Sequence, residues 1–471
     1  MVDKSTKMSY YKSIVRNKRE VIMKFNSLLA GVAFITLTAC NTTGSISNAS
    51  TNKFDKVAGN FTMPKAEVNV TMPKYFFTDE INKTCTMKQA PADFFSPPNK
   101  ELDLTNEVTY KWLEDLKDYN WQEDHSRDHN NSLNVDFLEL TDRTDFITTV
   151  LTNSIIDGTI EAQANKAIDL LVTWAKAEVI MDSDTIKDIF NKPKSEQKCY
   201  KGNSDVNAVC HWHTAQEAAR YAGNVAIIAN LARPYMDYTE LTHVENYLNA
   251  MYDKYIVTWY NYSGSGNIKK MKWGNGFYQH GHGAIGMLAY AHWKNDKDIA
   301  SYAFETAFKH IDYKVNEGGF INNNSFRGVR GYWYHSLGLN NMLGMVALAE
   351  EWNYPVEDKI YNKLTDAVQL LNQDAKEYLS FLESLDKVKN KHGNLYLVYN
   401  GKEYYGGNGS WDHKDARHHI HQHAKYLDHL ASTYTKASLE TDKVEYKLWK
   451  SKSKKELTDT MLGFNPTCIT K

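Results

Sequence analysis

Apolar residues recur at three- and four-residue spacing along most of this chain, which is the period of one face of an α-helix. The stretch Ala167–Val179 shows the pattern, with alanine, isoleucine, leucine and tryptophan at these spacings. Because short connections join the helical stretches, we expect antiparallel helix pairs, arranged as a closed toroid or an open solenoid. The same pattern predicts further helices over Ala215–Leu231, Leu241–Tyr262, Ile299–Val315, Tyr332–Glu351, Val356–Leu385 and His418–Tyr434.

Glycine-rich segments separate the predicted helices at Gly264–Gly266, Gly318–Gly319 and Gly406–Gly409. One short segment, Asn394–Tyr399, instead alternates apolar and polar residues as a strand does, and it can pair with Lys402–Tyr405 as a hairpin. No sequence repeat of fixed period is present, which argues against a regular solenoid. Nine prolines and no linker-like stretch predict one large domain.

The N-terminus has the pattern of an export signal. A basic stretch precedes a short apolar run, Leu28–Leu37, and the run ends in Leu-Thr-Ala-Cys at Cys40. This tetrapeptide resembles a bacterial lipobox, so residues 1–40 are predicted to be a lipoprotein signal peptide, with Cys40 lipidated. The alternative is an ordinary signal peptide with a chance cysteine.

Residues 41–60 are small and polar and predict a flexible tether, which leaves 61–471 as the folded domain. The protein is then an exported lipoprotein whose only contact with the membrane is its lipid. Asn41 is not the aspartate associated with inner-membrane retention, so the outer membrane is preferred.

Four cysteines remain once Cys40 is assigned to lipid, and an exported protein favours disulfides. Cys199 with Cys210 would close a short polar loop. Cys85 with Cys468 would then join the two ends of the domain. The other connectivities remain open, and no Cys-x-x-Cys pair indicates a metal site.

Composition narrows the class of partner. The net charge is −2, which does not favour nucleic acid, so attraction of a polyanion would have to be local. The chain has 30 tyrosines and 11 tryptophans. Packing between helices accounts for most of them, and some can stack on sugar rings.

The segment Trp273–Leu339 collects residue types that act on acidic sugars. In β-elimination on a uronic acid, one group neutralises the carboxylate, a base removes the proton beside it, and an acid protonates the leaving oxygen. Gln279 and Arg327 suit the first role, and His280 suits the second. Tyr334 suits the third, and it can also act as the base. No cofactor and no metal are needed for this reaction.

Glycines shape the local structure around these residues. Gly328 and Gly331 argue against a continuous helix through the arginines, so Tyr334 is expected in the first turn of the following helix. Gly281 and Gly283 flank His282 and would let a bulky ligand approach the backbone.

The segment Gln279–Leu339 resembles the core of the alginate lyases of polysaccharide lyase family 5. The family's catalytic Asn-His falls on Gln279-His280, its carboxylate-binding Arg on Arg327 and its catalytic Tyr on Tyr334. A second Arg and a following His fall on Arg330 and His335, and Gly319-Phe320 and one helix over Ala284–Val315 match in character. The resemblance implies an (α/α) toroid with a deep substrate groove.

Two departures from the family pattern bear on the substrate. Gln279 replaces asparagine, and Gly281-His282-Gly283 replaces Ser-Tyr-Trp. These changes indicate another uronate preference or the related helical-toroid lyase family 38, which acts on glucuronan or alginate. Substrate-binding residues are expected to include Asn275, His282, Arg330 and His335.

The segment Trp411–His423 is rich in histidine. In a helix His419 and His423 lie one turn apart, which is a metal-ligand spacing. A place on the groove wall is preferred, where Trp411, Arg417 and His418 would contact substrate.

We therefore expect an all-α toroid and a lyase that cleaves a 1,4-linked polyuronate, alginate first and glucuronan second. The expected partner is an anionic polysaccharide. The alternatives are a non-catalytic polysaccharide-binding lipoprotein and a metal-dependent hydrolase that uses the histidines of 411–423.

Overall fold

The described residues form a mainly helical structure with one small antiparallel sheet. They belong to a compact unit that spans Thr51–Lys471. The computed structural model describes residues 65–82, 102–118, 135–182, 211–260, 277–373, 375–390, 395–407, 426–439 and 462–469.

The α-helices are labelled here in chain order. They are α1 (Glu107–Glu114), α2 (Val135–Asp157), α3 (Ile160–Lys176), α4 (His211–Ala232), α5 (Tyr238–Met251), α6 (Val257–Tyr260), α7 (Phe277–Lys294), α8 (Lys297–Lys314), α9 (Gly331–Glu351), α10 (Asp358–Leu371), α11 (Ala375–Ser384) and α12 (Leu427–Tyr434). The strands are β1 (Asp386–Lys389), β2 (Leu395–Tyr399) and β3 (Lys402–Gly407).

The helical periodicity predicted most of the described helices, including α8 as Ile299–Val315, but it did not predict α1 or α2. Two stretches expected as one helix are each divided in the structure, the first expected from the family resemblance and the second from the periodicity. The run Ala284–Val315 divides at Asn295, whose φ is 51°, and Asp296 then caps α8 by accepting from two backbone N–H groups. The run Val356–Leu385 divides after Leu371 into α10 and α11. The first half of the predicted His418–Tyr434 helix lies outside the described residues.

Helices α9 and α10 form an antiparallel pair. At one end, Tyr332 donates its hydroxyl to the carbonyl oxygen of Leu371, at 2.8 Å. At the other end, Tyr361 donates to the Glu350 carboxylate, also at 2.8 Å. The early part of α9 therefore faces the late part of α10, and tyrosine hydroxyls fix the register of the pair.

Helices α7 and α9 lie side by side and run in the same direction. Gly281 packs against the Asn341 side chain. Further along, the His292 and Trp352 rings are 5.9 Å apart. From the first contact to the second, α7 and α9 advance by the same number of residues. The two helices are therefore parallel and in one register.

Helix α4 extends this parallel set on the other side of α7. A Cβ at Gly223 would lie 3.1 Å from the Cα of Gly286, so the two backbones nearly touch. Later in both helices, the Asn230 amide donates to the carbonyl oxygen of Ala289 at 2.9 Å. The N-termini of α4, α7 and α9 therefore lie on one side of the structure.

The segment 65–82, which we call the N-terminal strap, covers the opposite side. The Thr71 backbone donates to the Trp352 carbonyl oxygen at 2.8 Å, and Pro73 O lies 2.7 Å from a His292 ring nitrogen. Phe77 stacks on Phe464 with ring centroids 5.8 Å apart. The strap and the segment 462–469 thus meet at the C-terminal ends of α7 and α9.

Helix α9 is buried on almost every side. Its residues from His335 to Ala349 are all buried, including Asn340 and Asn341. A helix that is covered all round belongs to the centre of a large protein core. Among the described residues, no helix has the length and apolar character needed to cross a bilayer.

The predicted hairpin is confirmed, and a third strand adds to it. Strands β2 and β3 pair antiparallel, with Leu397 opposite Tyr404. Strand β1 pairs with β2, with Val388 opposite Tyr396. The sequence pattern did not reveal β1 because its four residues are exposed and three of them are charged.

Gly281→Ala should destabilise the protein even though alanine favours helices. The new Cβ would overlap the Asn341 amide oxygen, and overpacking of a core typically costs about 1–3 kcal/mol. Urea denaturation measures the free energy of unfolding. In the double variant with Asn341→Ala the overlap is removed, so the two substitutions should cost less than the sum of their separate effects. Simple additivity would contradict this packing.

Candidate functional site

The loop between α8 and α9 carries both arginines of the predicted site. Gly318 and Gly319 turn the chain with φ of 79° and 78°, and a Cβ at Gly319 would overlap the backbone of Asp366 on α10. Val315 and Ile321, which lie on either side of this turn, form an isolated antiparallel bridge. The start of the loop therefore lies against α10, and only glycine fits at position 319.

His335 ties this loop to α9 and α10. One ring nitrogen, Nε2, lies 2.9 Å from the carbonyl oxygen of Ala367 on α10. The other, Nδ1, lies 2.7 Å from Ser325 Oγ in the loop. Ser325 Oγ also accepts from the Ile321 backbone at 2.6 Å. One imidazole thus joins three segments of the chain.

The partners of His335 determine its protonation. A carbonyl oxygen can only accept, so Nε2 carries the hydrogen and donates to Ala367. Nδ1 then accepts from the Ser325 hydroxyl. Burial lowers the pKa of His335 to about 4, which agrees with a neutral ring.

The expected substrate-binding role of His335 is therefore corrected. The side chain is buried and both ring nitrogens have protein partners, which leaves no position for a sugar. His335 instead holds the loop from beneath.

The start of α9 fits the sequence prediction. Gly328 has a φ of 60° and opens a 3₁₀ turn, Gly328–Arg330, and the regular helix begins at Gly331. A Cβ at Gly331 would overlap the carbonyl oxygen of Ser325, so glycine is required there. Tyr334 lies in the first turn, as predicted.

The structure places Arg327 and Tyr334 in contact. The guanidinium carbon of Arg327 lies 4.4 Å from the centroid of the Tyr334 ring. The Asn324 amide donates to the Tyr334 carbonyl oxygen at 2.7 Å, which fixes the loop beside the helix. Both Arg327 and Tyr334 are partly exposed. Arg330, which is also partly exposed, ends the 3₁₀ turn beside them.

A tyrosine from the hairpin joins this pair. The Tyr405 ring centroid lies 5.2 Å from the guanidinium carbon of Arg327. Burial raises the pKa of Tyr405, and the positive charge of Arg327 partly opposes that rise. Sequence reasoning used Tyr405 only as part of a strand. Its place in the hairpin was visible, but its contact with Arg327 depends on how the sheet docks.

Gln279 and His280 lie in the first turn of α7, which is beside the middle of α9 rather than its start. Since Gly281 packs on Asn341, His280 is level with Asn340, and Tyr334 lies about 9 Å nearer the N-terminus of α9 at roughly 1.5 Å per residue. The side chains of Gln279, His280 and His282 lie outside the described residues. Their convergence with Arg327 and Tyr334 stays a prediction.

The interpretation of Gly281 and Gly283 as an opening for a ligand is corrected. The space beside Gly281 is filled by Asn341, and a Cβ at Gly283 would lie 3.1 Å from a Tyr260 ring carbon. These glycines let α7 pack closely on its neighbours. The helix passes through them without a break.

Other predicted residues are not described by the structure. Asn275, Cys40, Cys85, Cys199 and Cys210 lie outside the described ranges, as do Trp411, Arg417 and His418 of the histidine-rich segment. Within the described ranges, no group of three or more histidine, cysteine, aspartate or glutamate side chains is placed to hold a metal ion.

Cys468 is buried, and the other cysteines of the predicted pairs lie outside the described residues. The contact between Phe77 and Phe464 brings the chain shortly before Cys85 close to the chain shortly before Cys468. Both predicted pairings stay predictions.

Comparison with known proteins adds no family to this geometry. No family model, curated protein or solved structure matches the chain. The function must therefore be argued from the placement of residues, and the lyase resemblance of Gln279–Leu339 stays an expectation.

The stability contributed by His335 should depend on pH. Its folded pKa of about 4 lies below the unfolded value of about 6.5, so the unfolded chain binds more protons between these values. Stability should fall by up to roughly 3 kcal/mol from this group as pH drops from about 6.5 to 4. His335→Leu removes the titrating group and should lose that part of the pH dependence. Parallel profiles of unfolding free energy for the two chains would contradict this account.

Proposed function

We propose that the protein is a polysaccharide lyase that cleaves a 1,4-linked polyuronate by β-elimination. The observation that carries the proposal is the contact between Arg327 and Tyr334, both partly exposed at the start of a helix. It pairs a fixed positive charge with a phenol, the combination that elimination beside a carboxylate uses.

Each step of the reaction has a residue to perform it. Arg327, with Gln279, binds the carboxylate of the uronate and stabilises the negative charge that develops when the C5 proton leaves. His280 removes that proton. The C4–O bond then breaks as the C4–C5 double bond forms, and Tyr334 donates its proton to the leaving oxygen. On sugars whose C5 proton faces Tyr334, this residue serves as both base and acid.

Helix orientation supports an anionic substrate at this place. The N-termini of α4, α7 and α9 lie on one side of the structure, and the positive end of a helix dipole attracts anions. Gln279, His280 and Tyr334 belong to the first turns of α7 and α9. A polyuronate lying across these helix ends would present its carboxylates to them.

We propose the (α/α) toroid as the complete architecture. Antiparallel pairing of α9 with α10, together with the parallel course of α4, α7 and α9, is the arrangement that successive pairs of a toroid have. The substrate groove would lie at the N-terminal ends of the inner helices. Alginate is the first candidate substrate, because the segment Gln279–Leu339 resembles the core of the alginate lyases. Glucuronan is the second, because Gln279 and Gly281–Gly283 depart from the alginate-lyase pattern.

Two alternatives have separate tests. A non-catalytic polysaccharide-binding protein would bind polyuronate without producing any unsaturated product. A metal-dependent hydrolase using the histidines of 411–423 would lose activity on chelation and would release saturated ends.

Tyr334→Phe should abolish turnover while folding and polymer binding survive. The substitution removes only the phenolic oxygen, and loss of a general acid or base typically costs at least ~10²-fold in rate. Tyr332→Phe is the matched control, since it removes a hydroxyl from the same helix that donates to Leu371 inside the core. The measurement is the ultraviolet absorbance of the new conjugated double bond. Near-full activity in Tyr334→Phe would rule out this assignment.

We further propose export as a lipoprotein anchored at Cys40, with the outer membrane preferred. In a bacterial host, the unaltered chain should appear in the membrane fraction with a lipid-modified N-terminal peptide in its mass spectrum. The Cys40→Ser variant should no longer be found in the membrane fraction. If both chains were processed and soluble, an ordinary signal peptide would replace the lipobox interpretation.

A further inference from the structure

Two successive residues of strand β3 contact the loop between α8 and α9. Tyr404 stacks on Phe326, with ring centroids 4.3 Å apart and planes 13° from parallel. Tyr405 contacts the next loop residue, Arg327. Because successive strand residues point to opposite faces, one tyrosine anchors the hairpin while the other reaches the arginine.

Arg327 has an aromatic ring from each of two separate elements. Its guanidinium carbon lies 4.4 Å from the Tyr334 ring centroid and 5.2 Å from that of Tyr405. A ring face attracts a cation that lies within about 6 Å of its centroid, so the two rings together restrict where the Arg327 charge can lie.

Resting on the proposed function, we propose that Tyr405 is a positioning residue that holds the Arg327 guanidinium beside Tyr334. The β2–β3 hairpin thereby becomes one wall of the site and adapts it to a carboxylate-bearing sugar.

Two further observations support this clamp, by which we mean the holding of Arg327 by the rings of Tyr334 and Tyr405. Tyr396 lies opposite Tyr405 in the register, and the two rings make an edge contact at 5.9 Å, which restrains Tyr405 from behind. Burial raises the pKa of Tyr405, so its ring is uncharged at neutral pH. An uncharged ring orients Arg327 without competing with the substrate carboxylate for its charge.

A chemical experiment tests the clamp without any substrate. Phenylglyoxal modifies accessible arginines, and mass spectrometry gives the rate at Arg327 in the full chain. Tyr405→Ala should raise that rate severalfold, since loss of the cation–π contact makes the guanidinium more accessible to the reagent. Tyr405→Phe, which keeps the ring, and Tyr238→Ala, at a side chain that is 84% exposed, should leave the rate unchanged. An unchanged rate in Tyr405→Ala would overturn the clamp.

A second experiment tests whether the clamp serves carboxylate binding. Calorimetry measures binding of uronate oligosaccharides to chains that carry Tyr334→Phe, so that no turnover occurs. Tyr405→Ala should weaken binding about tenfold when Arg327 is present and have no further effect when Arg327→Ala is also present. An equal loss in both backgrounds would show that Tyr405 does not act through Arg327. A positive reagent result without uronate binding would keep the clamp and contradict the proposed function.

Discussion

The candidate site depends on one buried imidazole. His335 accepts from Ser325 in the loop and donates to Ala367 on α10, so it joins the loop, α9 and α10 through a single neutral ring. A buried ring with both nitrogens bonded is costly to disrupt, because any break leaves polar groups without water. The loop that carries Arg327 can therefore keep its position even though it has little regular structure.

The helix directions divide the structure into two ends with different properties. At the C-terminal ends of α7 and α9, the N-terminal strap packs on His292 and Trp352 and is tied to Phe464 through Phe77. At the N-terminal ends lie Arg327 and Tyr334, partly exposed beside dipoles that favour anions. Packing that stabilises the fold and groups suited to chemistry thus occupy opposite ends of the same helices.

Local features could be predicted from the sequence, and features created by packing could not. The start of α9 before Tyr334 follows from Gly328 and Gly331, because backbone conformation there is a local property. The roles of His335, Gly281 and Tyr405 depend on which distant segment packs beside them. His335, next to the proposed catalytic tyrosine, looks like a ligand-binding residue until Ser325 and Ala367 are found on its two nitrogens.

The central claim is elimination beside a uronate carboxylate, and product chemistry tests it most directly. The purified protein is incubated with alginate, glucuronan and a neutral glucan, and conjugated double bonds and new reducing ends are counted in the same samples. The account predicts equal numbers of both on at least one polyuronate and neither on the glucan. New reducing ends without double bonds would indicate hydrolysis and would contradict elimination. A failure to cleave either polyuronate would contradict it as well.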